Sequence, residues 1–361
     1  MKKISGVIGL LKILQAIDGR TWGGAEAVVA SLASGLAEKG HQVTVWTSKK
    51  GGCKKIFKER FKDKVVVSEV PLLNDGDLVS MMYFYTAFKK FDIIHVHSSY
   101  ATILSGRSAL FVPRQTRRKI VCHFHRPVGN PKHYKNHFQG ICVSKTVEKF
   151  VKTNLPWIHT WCVHNGIEIE ASNGNQPLLE SSDKIRIGYL ARLSEKKGHE
   201  DLLKAFAKFD PKREVELVLG GEGKRLPFLK QLAQDLGVAE RVRFLGFVPP
   251  ELAFSFWKSM DIACFPTYTE GFGISLLEAM ASNLAIVAYD DPALEETLKD
   301  EGIVVPTGDI DGLYSALETL AFNPDVRSHY SACAAARSRI FTKDHMVERI
   351  IHVYEEMLTG Q

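Results

Sequence analysis

Cysteine is scarce in this sequence, and the cysteines present are badly spaced for metal. The six, Cys53, Cys122, Cys142, Cys162, Cys264 and Cys333, include no C-x-x-C pair, so the usual zinc spacing is missing. Several stand in apolar runs, as reduced thiols of a cytosolic protein would. No apolar run reaches the roughly 18 residues of a membrane span. The start, with Lys2-Lys3 and an apolar stretch, mimics a signal peptide, but Lys12 interrupts it and no small-residue cleavage site follows. The first strand is therefore expected at Ile13 to Ile17, with residues 1–10 a short extra segment. The dinucleotide fingerprint G-x-G-x-x-G is absent from the first βαβ turn, and no acidic residue ends the second strand. No nucleic-acid-binding motif occurs either. Of two D-x-D pairs, Asp75/Asp77 and Asp309/Asp311, the second reads as a helix N-cap at Asp309. No metal site and no cofactor are expected.

The 361 residues, 45% hydrophobic, suffice for two domains. Charge divides them unevenly. Residues 1–180 carry 26 Lys+Arg against 13 Asp+Glu, a formal +13, and residues 181–361 carry 21 against 28, a formal −7. Nine of the thirteen histidines also lie in the first half. One half is thus suited to an anionic partner. The densest base runs from Lys49 to Lys64, with Phe57 and Phe61 interleaved, a composition that could rest on an anionic membrane surface; a solvated loop or helix face is the plainer alternative.

The most informative stretch is Asp261 to Asp290. Ile262 to Phe265 reads as a buried parallel strand, Pro266 to Thr269 as a turn, Ile274 to Ser282 as a helix closed by Asn283, and Leu284 to Ala288 as the next strand. Between turn and helix stand Glu270, Gly271, Phe272 and Gly273. Open α/β sheets bind ligands beyond the carboxyl ends of their strands, and the free N–H groups of a helix start favour phosphate. Glycines at that point let a ligand approach the backbone. Glu270 and Glu278 frame the turn, and both can face one crevice only if the chain bends at the glycines. Carboxylates suit sugar hydroxyls. Taken alone, the two glutamates are as simply a helix-start charge and a solvated side chain.

The whole stretch, Glu-Gly-Phe-Gly, seven-residue spacing, then Glu-Ala-Met-Ala and an apolar strand, resembles the nucleotide-sugar signature of retaining glycosyltransferases of family four. The resemblance is strong over residues 184–320 and looser over 12–166. It implies an α/β protein with the GT-B arrangement, two Rossmann-like doubly wound domains facing across a cleft. The expected divisions are an acceptor-side domain at 1–168, a linker at 169–183, a nucleotide-sugar domain at 184–341 and a C-terminal helix at 342–361 crossing back to the first domain.

Several positions take roles from that resemblance. The glycine-rich loop Asp18 to Glu26, with Gly24, would face acceptor and donor phosphates, although a tight turn into a helix explains the glycines nearly as well. The strand Lys119 to His125 is similar to the family's strand ending in an active-site histidine, which gives His125 that role; His123 points to the same side by alternation and is a rival. Arg192 and Lys197, in the loop Ala191 to Gly198, match the family's diphosphate-binding Arg and Lys-Gly, and Arg supplies a fork where Lys supplies a point charge. Gly271, Phe272, Gly273 and Ile274 would contact the donor, Glu270 would orient sugar hydroxyls as a catalytic residue, and Glu278 would hold the ribose. The turn Gly246 to Pro249 would line the base pocket.

The expected activity is a retaining, metal-independent hexosyl transfer from a nucleotide-diphosphate sugar, a UDP-sugar favoured and GDP-mannose the other candidate, to a glycan or lipid-linked acceptor. Bacterial lipopolysaccharide or another cell-surface polysaccharide is the expected product. The expected setting is the cytoplasm, peripherally on the inner membrane face. Two rivals are a nucleotide-sugar epimerase on the same fold and a non-catalytic sugar-nucleotide-binding partner of a transferase. Turnover of donor without acceptor would mark the first, and loss of any of Arg192, Lys197, Glu270 or Glu278 would have marked the second.

Overall fold

The computed structural model describes residues 9–19, 21–49, 52–71, 78–127, 130–169 and 176–359. Residues 1–8 of the expected leading segment, Arg20 of the glycine-rich loop, the Asp75/Asp77 pair and residues 170–175 of the expected linker lie outside them. The chain forms two compact units, one holding residues up to Gly166 and from Lys343 onward, the other Ile167–Thr342.

The first unit has a seven-stranded parallel sheet: β1 (Lys12–Ala16), β2 (Gln42–Ser48), β3 (Val66–Val70), β4 (Ile93–Val96), β5 (Ile120–Phe124), β6 (Gln139–Cys142) and β7 (His159–Cys162), in the order β3-β2-β1-β4-β5-β6-β7. The second has β8 (Ile185–Leu190), β9 (Val215–Gly220), β10 (Val242–Gly246), β11 (Ile262–Phe265), β12 (Ala285–Tyr289) and β13 (Ile303–Val305), in the order β10-β9-β8-β11-β12-β13. Each sheet runs outward from its first strand, then restarts on that strand's other side. This is the doubly wound order, and its switch point falls between β1 and β4 in one unit and between β8 and β11 in the other. Helices cover both faces, so central strands such as β4, β5, β9 and β11 are buried throughout, mostly apolar but with His95, His123 and Glu216 enclosed among them.

Local chemistry explains most boundaries. Ser144 caps the helix Lys145–Asn154 by accepting the Val147 N–H at 3.1 Å, and Asp309 caps Ile310–Phe322 by accepting the Gly312 N–H at 2.9 Å. Asp311 instead pairs with Lys208 at 2.6 Å. Asn283, at φ +62°, lies in the left-handed region that ends a helix. The last helix, Lys343–Thr359, belongs to the first unit and packs on Gly24–Glu38, where Gly35 leaves room for Val347.

Two expectations need correction. Residues 176–183 are not a free linker: Leu178 donates to the Ser255 carbonyl and Leu179 to the Ser259 hydroxyl, each at 2.9 Å, which ties them to the second unit. Phe57 and Phe61 do not interleave with base on an open face. The segment is a helix, Cys53–Phe61, whose spacing turns Cys53, Phe57 and Phe61 inward, where both rings are fully buried and stack at 5.7 Å. Burial of two phenylalanines, worth about 2–3 kcal/mol each, outweighs what either could gain at a membrane surface. Lys55, Lys58, Arg60, Lys62 and Lys64 stay exposed, and Lys54 pairs with Glu69 at 2.8 Å. Among the described residues no helix is long and apolar enough to cross a membrane.

Candidate functional site

The second unit gathers charge at its switch point. The loop after β8 carries Arg192 and Lys197, and the loop after β11 carries Thr267 to Gly273. The two are laced together: Tyr268 N–H and Thr267 Oγ1 both donate to the Lys196 carbonyl, at 2.9 and 3.0 Å. Gly198, at φ +64°, sits so close to the Pro266 carbonyl that a Cβ would collide with it. This is why glycine follows Lys197. The result is a direct ion pair between Lys197 Nζ and Glu270 Oε1, residues 73 apart in sequence. Both are partly solvated, at 19% and 29% side-chain exposure, so a ligand can still reach them. Arg192 is exposed beside them in sequence, on the same loop.

The helix Ile274–Ala281 starts from Gly273 at φ +90°. Its first internal bond, Leu277 N–H to the Gly273 carbonyl at 3.0 Å, leaves the N–H groups of Ile274, Ser275 and Leu276 without helical acceptors. Ser275 Oγ donates to the Leu190 carbonyl at 2.7 Å, which pins this helix start to the end of β8. Glu278 lies one turn further in, half-buried. Phe272 is in the core: its ring meets Phe341 at 5.6 Å and its carbonyl accepts from Thr297 at 3.0 Å.

Asp291 supports this loop from behind. One oxygen caps the helix Pro292–Leu298 through Ala293 and Leu294, and the other accepts the Glu270 N–H at 3.1 Å. Burial raises its pKa, partly offset by those hydrogen bonds. Asp291 was not among the expected site residues, and its bond to Glu270, 21 residues away, has no local signal. Asp201, which accepts from Tyr268 at 2.5 Å and Tyr289 at 2.9 Å, went equally unseen.

The first unit presents a different surface at its switch point. Gly24 is exposed at the first position of the helix Gly24–Glu38. Ser98, after β4, caps the next helix and donates to Asp18, after β1, at 2.5 Å. Beside them His95, His97, His123 and His125 form a quartet. His97 Nδ1 and His125 Nε2 lie 3.0 Å apart, as do His123 Nδ1 and His95 Nε2. Along each strand the rings stack, His95 on His97 at 4.2 Å and His123 on His125 at 4.5 Å. His125 stands half-buried at the end, and His123 is buried behind it, on the same side as alternation required. Burial, first, and the neighbouring rings hold His95, His97 and His123 well below the usual histidine pKa; burial and then Arg126 bring His125 to about 3. The quartet is neutral near pH 7. His95 and His97 were missed as site residues, although the repeated His-x-His at two strand ends was a signal of period two.

The chain matches two family profiles. "Glycosyltransferase Family 4" covers residues 22–171 and "Glycosyl transferases group 1" covers 173–337. It is similar to the phosphatidyl-myo-inositol mannosyltransferase of Mycobacterium leprae, 30% identical over 290 residues, which are 75% of either chain. The enzyme of the same name from Mycolicibacterium smegmatis is 29% identical over 92% of this chain and 90% of its own. In fold the chain is similar to Anabaena HepE in complex with UDP and glucose, with TM-score 0.80 at 19% identity over 96% of this chain and 100% of that one. It is also similar to WaaG, a glycosyltransferase involved in lipopolysaccharide biosynthesis, with TM-score 0.73 at 15% identity over 97% and 100%. Twin doubly wound sheets, charged and glycine-lined loops at the second switch point and these matches lead to one conclusion: the chain belongs to the family-four, group 1 glycosyltransferases and has the GT-B fold.

Proposed function

We propose that this chain transfers a hexosyl group from a nucleotide-diphosphate sugar, a UDP-sugar before GDP-mannose, to a glycan or lipid-linked acceptor, with retention at the anomeric carbon and without a metal. The observation that carries the reading is the Lys197–Glu270 pair at the second switch point, beside a helix start whose first three N–H groups have no helical acceptor. In the free protein the two charges satisfy each other. An arriving diphosphate draws Lys197, together with Arg192, onto its oxygens, where charge grows as the bond from the anomeric carbon to the phosphate oxygen breaks. Glu270 is then released to accept sugar hydroxyls. Glu278 holds the nucleotide ribose, and His125 contacts the reacting sugar. The acceptor oxygen bonds the anomeric carbon on the face the diphosphate leaves, and the acceptor proton passes to the departing diphosphate. Lysine, arginine and helix N–H groups do the work a divalent cation would otherwise do.

HepE, whose structure was solved with UDP and glucose, supports the uridine donor, and WaaG, named for lipopolysaccharide biosynthesis, supports a cell-surface product. The mannosyltransferase relatives keep GDP-mannose in the comparison. A peripheral membrane position rests on the basic half, with the exposed Leu78, Met82, Leu110 and Phe111 as the apolar contribution in place of Phe57 and Phe61. The test is a thermal-shift panel of UDP- and GDP-sugars, followed by turnover with and without acceptor. A stabilising donor that yields a product of retained configuration only when acceptor is present supports the reading. Epimerised donor without acceptor makes the chain an epimerase, and no stabilisation by any nucleotide sugar removes the reading.

A further inference from the structure

Each ring of the histidine quartet is part of a longer hydrogen-bonded chain. His97 Nε2 meets Gln15 Oε1, Gln15 Nε2 lies 3.2 Å from the Tyr354 hydroxyl, and that hydroxyl lies 2.7 Å from His95 Nδ1. Gln15 is on β1, the histidines are on or just beyond β4 and β5, and Tyr354 comes from the last helix, Lys343–Thr359. Gln15 and Tyr354 are fully buried, as is His95. None of these links is local, since Gln15 and Tyr354 are 339 positions apart.

The protons in this chain are not independent. A neutral imidazole has one N–H and one bare nitrogen, so each hydrogen bond at one nitrogen decides what the other must do. Only Gln15 has ends that differ chemically: its oxygen accepts and its nitrogen donates. Its oxygen faces His97 Nε2, which therefore carries the proton and leaves His97 Nδ1 bare. That bare nitrogen accepts from His125 Nε2–H. On the other branch the Gln15 amide donates to the Tyr354 oxygen, and Tyr354 donates to His95 Nδ1. His95 Nε2–H then donates to His123 Nδ1, leaving His123 Nε2–H as the buried end without a partner among the described residues.

We propose that Gln15 and Tyr354, acting through His97 and His95, fix all four histidines as Nε2–H tautomers, so that His125 presents its bare Nδ1 as an acceptor for a substrate hydroxyl. Gln15, Tyr354 and His97 are positioning residues. The depressed proton affinity of the rings keeps the chain neutral, so tautomer rather than charge is the controlled quantity. A metal ion held by His95, His97 and His123, which are close enough to share one, would have to displace bonds that already occupy both nitrogens of His95 and His97.

The catalytic consequence rests on the transferase reading, but the tautomers do not, and they can be read without substrate. Nitrogen-15 NMR of the full chain distinguishes protonated from bare ring nitrogens, with His125→Gln and His97→Gln used to assign signals. Wild-type protein should show protonated Nε2 and bare Nδ1 at all four rings. Tyr354→Phe releases the Gln15 amide, so His97 and His125 should become tautomer mixtures. If the competent form falls to between a half and a tenth of the population, kcat falls about two- to tenfold while donor KM stays within about twofold. Gln15→Met should do the same by removing the amide, and it serves if Tyr354→Phe does not fold. A wild-type His125 with its proton on Nδ1 overturns the proposal, because the chain would then run in reverse. So does a folded variant of lower Tm whose tautomers match wild type, since Gln15 and Tyr354 would then be structural only. Normal tautomers and variant mixing in a protein without transferase activity would leave this chain intact and remove the function reading instead.

Discussion

The two units share a strand order and differ in what they place at the strand ends. At β1, β4 and β5 the groups are neutral imidazoles, an amide and a phenol, buried and joined by hydrogen bonds. At β8 and β11 they are a lysine, an arginine and a carboxylate, partly solvated, with a helix start between them. The same doubly wound order, with one more strand in the first unit, supplies the crevice in both cases, and the loop residues decide whether it suits hydroxyls or an anion. The neutral crevice requires burial, because water would screen and scramble the hydrogen bonds that order it. The charged one requires solvent access, because a fully buried pair would resist giving its lysine to a ligand.

Acid should separate the units most strongly. Below about pH 6.5 the unfolded chain protonates its histidines, while the folded quartet refuses protons, with His125 held to about 3. The unfolded state then binds more protons, so stability present above that pH is lost as pH falls toward 3, at roughly 1.4 kcal/mol per pH unit for each fully affected ring. The first unit also holds His137, pushed to about 4 by burial, whereas the second unit's comparable ring is His199, brought to about 3 by burial and Lys197. Hydrogen exchange at pH 7 and 5 should show β1, β4 and β5 losing protection before β8 and β11. The reverse order, or simultaneous loss, would break the contrast.

Within the charged crevice, Lys197→Ala should cost about 2 kcal/mol or more of transition-state stabilisation, near a thirtyfold fall in kcat/KM, with the fold intact. Arg192→Ala should behave alike. Steady-state kinetics on the folded variants check this, and wild-type values in both would remove the loop from the site. A smaller effect is expected on the basic surface of the first unit. Lys55, Lys58 and Lys62 each contribute on the order of 1 kcal/mol to binding an anionic bilayer, screened by salt. Replacing all three with Gln should reduce sedimentation with anionic liposomes at low salt and leave donor binding unchanged. Wild-type protein that ignores such liposomes would reduce that surface to a solubility feature. The smallest expected effect is none: excess chelator should leave transfer rates unchanged. Loss of activity restored by Mg²⁺ or Mn²⁺ would mean that Lys197, Arg192 and the helix start do not suffice.

Legibility from sequence followed the range of the interactions. Strand runs, the cap at Asp309 and the helix end at Asn283 depend on neighbours within a few positions, and they were readable to within a residue or two. The basic segment was legible as a solvated helix face, but its eight bases and two aromatics did not give the helical phase that turns Phe57 and Phe61 inward. Asp291 was not read, because its support of Glu270 reaches across 21 positions.

By itself the sequence determined the family, the doubly wound α/β class, the charge asymmetry and the candidacy of His125, Arg192, Lys197, Glu270 and Glu278, because motifs and periodicities are local and additive. Tertiary structure alone decided that Lys197 and Glu270 neutralise each other, and that Gln15 on the first strand and Tyr354 on the last helix join the four histidines. Those contacts span from 73 to 339 positions. Hydrogen bonds and ion pairs act over a few ångströms, so residues so far apart in sequence acquire partners only when strand order and helix packing bring their side chains together.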